Sequence, residues 1–273
     1  LGKPIKMNET EQENCLYVYA ILNTATEQNL GTIGINDNPV YTIIYKDIAA
    51  AVHFSEKKPE PAKDEQQAKE WVFTHNYAID KMTEKFGTLL PFSFGCVALG
   101  NDETIRSWLQ KNYEPFKTEL EKLNDTAEYL VQIFYDPKIL AEKVLKDSHE
   151  LQALNAKIQG MSKGKGYILQ KQFDIRRDQA ITKELSKLGA EFGRAIHENV
   201  KEMVPEEKKS NVPEKFKGKK SVITLSCLVS NENVENLGNV LEQINEREGF
   251  AVRFTGPWAP YSFIDLKKDF EHT

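Results

Sequence analysis

The sequence predicts an α+β protein: a ferredoxin-like domain over residues 15–136, then an α+β domain over 137–273 that carries an antiparallel coiled-coil hairpin. Three observations predict this. The first half combines short β-branched and aromatic runs with two amphipathic helical patterns. At Asp136-Pro137 the pattern changes to long repeats of three-four spacing, and the end returns to strand, helix and strand. A chain of 273 residues also exceeds the usual size of one domain.

Cys15 to Asn23 (CLYVYAILN) is dense in strand formers, and Val40 to Tyr45 and Ile48 to Phe54 form a hairpin around Lys46-Asp47. After a charged loop with Pro59 and Pro61, the residues Ala68, Val72, His75, Ile79, Met82 and Phe86 recur at helical spacing. They predict an amphipathic helix of about five turns, stopped by Gly87. Leu89 to Leu99 (LLPFSFGCVAL) reads as a central strand with a bend at Pro91 and Gly95. Asn101 to Thr104 opens one further helix, whose buried face runs from Ile105 and Trp108 to Leu120 and Leu123. Ala127 to Tyr135 is expected to close this first domain as a strand, in a sheet of about five strands.

In the second half, Leu140, Val144, Leu151, Leu154 and Ile158 share heptad-like spacing, broken once at Asp147. A long helix follows through Ile181, Leu185, Leu188, Phe192, Ile196, Val200 and Met203, so residues 137–204 read as a helical hairpin. Its apolar stripe packs either on the chain's own domains or on a partner helix. Residues 205–220 form a lysine-rich loop, expected to be mobile. Ser221 to Val229, a helix from about Asn233 to Arg247 and Phe250 to Thr255 complete the tail. Residues 1–14 read as a disordered leader, with Met7 as the native start and Leu1 to Lys6 as a cloning remnant.

The composition is that of an ordinary globular protein, 40% hydrophobic and 28% charged. A net charge of −5 argues against nucleic acid as a partner. The basic residues Lys208, Lys209, Lys215, Lys217, Lys219 and Lys220 are interleaved with acids and have only Phe216 among them for stacking. No apolar run reaches the length that spans a bilayer. Cys15, Cys96 and Cys227 are distant and unpaired in pattern, and read as small core residues in a reducing cytoplasm.

Catalytic motifs are missing. Gly160-Met161-Ser162-Lys163-Gly164-Lys165-Gly166 has three residues between its first glycines and no hydroxyl after the lysine, so it fails as a phosphate loop. His149 and His197 each precede a glutamate but lack the second histidine of a zinc helix. His75, on the apolar face of its helix, reads as a core-edge histidine bonded to a backbone carbonyl, or else as a partner contact. We therefore expect neither an enzyme nor a cofactor or metal site. Near the end, Thr255-Gly256-Pro257-Trp258-Ala259-Pro260-Tyr261-Ser262-Phe263 holds three aromatic rings in a proline-stiffened segment. Such a segment plugs a core or anchors a partner.

Several segments together resemble one family, the gas vesicle proteins of the GvpF/GvpL type. The family opens with a tyrosine-rich strand, matched by Leu16-Tyr17-Val18-Tyr19-Ala20-Ile21. It carries a helical histidine before a Leu-Pro-x-x-Phe-Gly strand, matched by His75 and Leu90 to Gly95. Glu128 to Asp136, Gly164 to Leu169 and Thr255 to Phe263 fit the remaining motifs in order. Ser93 departs from the pattern, since arginine is common there, and Ala20 stands where glycine is common.

The resemblance implies a non-enzymatic accessory or minor structural protein of gas vesicle assembly. It implies a cytoplasmic, vesicle-associated location, and as partners the hydrophobic shell protein GvpA and other accessory proteins. Candidates for the anchoring surface are Tyr17, Tyr19, His75, Phe92, Phe94, Trp258, Tyr261 and Phe263. Two alternatives remain: a stable structural component of the finished vesicle, and a ligand-binding protein built on a ferredoxin-like sheet.

Overall fold

A computed structural model describes residues 14–55, 61–161, 166–206 and 214–264. The expected leader with Met7, most of the glycine-rich turn, and Lys208 and Lys209 lie outside the described residues. The chain forms two compact units. The first contains residues 14–127 and 258–264, and the second contains 128–257.

In the first unit, β1 (Cys15–Leu22) has all eight residues buried, which requires cover on both faces of the strand. It pairs antiparallel with β4 (Ile48–Ser55), which in turn forms the expected hairpin with β3 (Val40–Tyr45). β2 (Asn29–Gly31) adds outside β3. On its other side β1 carries β5 (Leu90–Pro91) and β6 (Val97–Leu99). The apolar stretch 89–99 is therefore not central: it fills the last position of the order β2-β3-β4-β1-β5, with β6 also on β1. Pro91 has no N–H to offer a further neighbour, which suits that place. Between β5 and β6 the chain leaves the ladder and turns at Gly95, where φ is 88°.

α1 (Glu65–Phe86) begins at Asp64, whose side chain accepts from the Gln67 N–H, and ends at Gly87. It buries His75, Ala78, Ile79 and Met82 in a core with Tyr17, Tyr19, Ala51 and Leu89. Val72, read from its spacing as part of that face, is exposed. The next helix is two: α2 (Asp102–Lys111) and α3 (Tyr113–Lys122), broken at Asn112. Pro115 explains the break. Inside a continuous helix it would remove a hydrogen bond and clash with the preceding turn, whereas the first turn of a new helix tolerates it.

The second unit contains all but the first two residues of β7 (Thr126–Tyr135), the long helices, β8 (Glu202–Pro205), β9 (Lys220–Ser230), α7 (Val234–Asn245) and all but the last residue of β10 (Phe250–Trp258). Its sheet runs β10-β7-β9-β8. β7 therefore does not close the first sheet, as the sequence reading expected. Both flanks of β1 are already taken, and the ten residues of β7 match the lengths of β9 and β10.

The hairpin's first arm is two helices, α4 (Pro137–Asp147) and α5 (His149–Gln159), split where Ser148 caps α5 through the Leu151 N–H. Both lie against α6 (Tyr167–His197). The far end of α6 rests on the unit's own sheet, with Leu188, Phe192 and Ile196 buried, Gly189 beside Val222 and Gly193 beside Ile223. Phe216, singled out as the stacking aromatic of the basic loop, is instead core, with its ring 4.7 Å from that of Phe134. No helix among the described residues is long and apolar enough to cross a membrane.

Candidate functional site

Two tyrosines on one strand and two histidines on neighbouring elements meet inside the first unit. Tyr17 on β1 lies directly opposite His53 on β4, and their rings stack with centroids 5.1 Å apart and planes 4° from parallel. The register slips between Val18 and Ala20, so Tyr19 has no cross-strand mate. A bulge of this kind re-aims the side chain it carries. Here the rings of Tyr17 and Tyr19 stand 4.8 Å apart, and the Tyr19 ring stacks on His75 of α1.

At His75 the hydrogen bonds fix the proton. The Tyr17 hydroxyl accepts from the Gly95 N–H at 2.9 Å and lies 2.9 Å from His75 Nδ1. His75 Nε2 lies 3.1 Å from the Phe92 carbonyl, which can only accept. Nε2 therefore carries the proton, and Tyr17 donates to Nδ1. Tyr19 repeats the arrangement: its hydroxyl accepts from the Ile35 N–H at 3.0 Å and meets His53 Nδ1 at 2.9 Å. The Tyr17 hydroxyl thus uses a donor and an acceptor function.

Burial sets the electrostatics. It pulls both imidazoles from 6.5 to about 4, so that they are neutral at pH 7; a bond to the Phe92 carbonyl opposes this weakly at His75. It pushes the Tyr19 hydroxyl up to about 12 and raises Tyr17 further, and it pushes the Cys96 thiol up to about 12. Groups held this far from titration position one another and do not exchange protons near neutrality. The three cysteines are free thiols, and no metal-binding cluster occurs among the described residues.

This placement revises the proposed anchoring surface. Tyr17, Tyr19, His75, Phe92 and Phe263 are buried, and Tyr261 is half-buried with its hydroxyl 3.4 Å from His75 Nε2. Only Phe94 and Trp258 of the eight are open, at 42% and 52% exposure. Buried rings cannot serve as a docking face while the core is intact. His75 bonds a backbone carbonyl, as one reading of its position expected. Ala259 and Tyr261 join the core around Tyr19, so this part of the tail plugs.

The sequence reading passed over Phe73 and Tyr77. They lie one turn apart on the outer side of α1, 73% and 51% exposed, beside Val72. An aromatic pair at i and i+4 on the polar side of a helix was the available signal. The pairs Glu65–Lys69 and Lys81–Glu84 flank it along the helix.

Comparison with known proteins places the chain. The family model described as gas vesicle synthesis protein GvpL/GvpF matches residues 15–265. Gas vesicle protein L1 of Halobacterium salinarum is 30% identical over 259 residues, covering 93% of this chain and 92% of that one. Gas vesicle protein L of Haloferax mediterranei is also 30% identical, over 85% of this chain and 72% of its own length. The crystal structure of GvpF from Anabaena sp. PCC7120 shares the fold with a TM-score of 0.69 at 18% identity, over 93% of this chain and 99% of that one. The chain belongs to the GvpL/GvpF family of gas vesicle proteins.

Proposed function

We propose that the protein is a non-enzymatic assembly factor. It holds the hydrophobic shell protein GvpA, alone or with other accessory proteins, before and during its polymerisation into the vesicle wall. The observation that carries this reading is the open aromatic stripe of Phe73 and Tyr77, with Val72 beside it, on the helix whose other face is core. Aromatic anchors with a polar rim are the usual makings of a protein contact. A shell subunit apolar enough to face a gas space aggregates when left alone, and a soluble partner that covers part of it delays that. The helix supplies a rigid mount, because its inner face is fixed by the Tyr17–His75 contact and by Ile79 and Met82.

The test is a double substitution, Phe73→Ser with Tyr77→Ser. Both side chains are largely in water, so unfolding should move by no more than about 0.5 kcal/mol for each. Capture of co-expressed GvpA should fall at least about tenfold, the effect of losing one good aromatic anchor. Undiminished capture by a normally folded variant would move the contact off this helix.

A further inference from the structure

The helical arm of the second unit is basic and apolar at its tip and carries an acidic helix at its root. Around the tip, from Leu151 to Phe173, the sequence has four lysines and no aspartate or glutamate. The first acids on either arm are already paired, Glu150 with Arg176 and Asp174 with Arg177. Lys171 stands 5.1 Å over the Tyr167 ring. The exposed large hydrophobic side chains among the described residues of this unit all lie at the same end: Met161, Tyr167, Ile168 and Ile175, with Ile168 at 68%. Ile168 and Ile175 are two turns apart on one face of α6, and Lys171 borders that face.

At the root, α7 is fastened to α6 by Arg247, which bonds Glu191 at 2.7 Å and lies 5.1 Å over the Phe192 ring. From Asn231 to Glu246 the sequence has acids and no base. Leu237, Leu241 and Ile244 bury one face of α7, and Glu235 and Glu242 stand exposed on the other. Gly238 lies at the border between these acids and the buried face, with half-buried Val234 one turn before it. Nothing comes within 4 Å of where a Cβ of Gly238 would stand, so the helix surface is notched there. Base beside an apolar knob at the tip thus has its counterpart in acid beside an apolar notch at the root. Tyr167 and Glu191 stand about 36 Å apart along α6, at about 1.5 Å per residue. The 12 residues of α7 span about 18 Å, half that distance, so one chain cannot bring its own tip to Gly238.

We propose that the tip of the arm docks on α7 of a second copy of this chain, with Ile168 beside Gly238 and Val234, and Lys157 and Lys171 facing Glu235 and Glu242. A contact between unlike surfaces leaves one of each free, so copies add head to tail instead of stopping at a dimer. The inference goes beyond the binding of a shell protein and does not depend on it, since Phe73 and Tyr77 belong to the first unit.

Sedimentation of the full chain over a concentration series tests it. At low salt the average mass should climb past that of a dimer as concentration rises, and added salt should lower it by screening the lysine–glutamate contacts. Ile168→Asp alone, and Glu235→Lys with Glu242→Lys in a second variant, should each leave a monomer. The side chains replaced are exposed, so the fold is kept. Mixed together, the two variants retain one intact tip and one intact α7 face between them, and should form a one-to-one complex that grows no further. A wild-type chain that stays monomeric at about 0.5 mM, where even weak contacts are populated, overturns the proposal and leaves the tip to a different protein. Association of either variant by itself, or a mixture that stays monomeric, overturns it equally.

Discussion

Acidification from pH 6.5 toward pH 4 should remove several kcal/mol of stability from the first unit. The cause is the burial that holds His53 and His75 at about 4 in the folded chain, against 6.5 when unfolded. Between those values the unfolded chain binds the extra protons. Stability from these groups is therefore complete above pH 6.5, falls as pH drops through the window, and is lost at about 4. At about 1.4 kcal/mol per unit, each histidine contributes about 3 kcal/mol. Asp47 acts lower on the scale: its hydrogen bond from Lys117, then that from Tyr113, lowers its carboxyl from 3.8. Urea unfolding at a series of pH values, read through resonances of the first unit, checks the slope. A stability that stays level between pH 6.5 and 4.5 would contradict the assigned protonation states.

A pair of glycines in the second unit should respond in opposite directions to alanine. At Gly256 φ is 142°, and an added Cβ would sit 2.7 Å from Tyr129 Cδ1 and 2.8 Å from the Glu128 carbonyl oxygen. The Tyr129 ring is stacked on Phe254 at 4.9 Å, and the carbonyl is backbone, so neither yields cheaply. Backbone strain and overpacking together should cost Gly256→Ala about 2–5 kcal/mol. Gly238 lies inside α7 with nothing within 4 Å of the same position. Gly238→Ala should therefore gain about 0.5–1 kcal/mol from helix propensity alone. Melting temperatures of the two variants should move apart; equal losses would mean that the space around one of them is misjudged.

Elements carried by local pattern were legible in the sequence. α1 follows its 3.6-residue spacing to a stopping glycine, and the β3–β4 hairpin turns where Lys46-Asp47 interrupts two strand-like runs. What depends on distant neighbours was not. Nothing in β7 itself says which sheet it joins, because an alternating strand suits any sheet with a free flank. Strand alternation alone would leave part of β1 in water, yet all of it is covered. Tyr17 and Tyr19 consequently look like surface anchors in sequence and are core in the fold. Their histidine partners lie 58 and 34 residues away, and the bulge that aims Tyr19 has no sequence mark. Phe73 and Tyr77 are hard to read for the opposite reason: they lie on the polar side of α1, away from the apolar stripe that marks the helix in sequence.

Shell-protein binding is tested most directly by capture of co-expressed GvpA by this chain in the absence of every other accessory protein. The shell protein should co-purify with the folded chain and stay soluble longer than it does alone. Recovery of a well-folded chain with no GvpA attached, while GvpA aggregates at its usual rate, would contradict it.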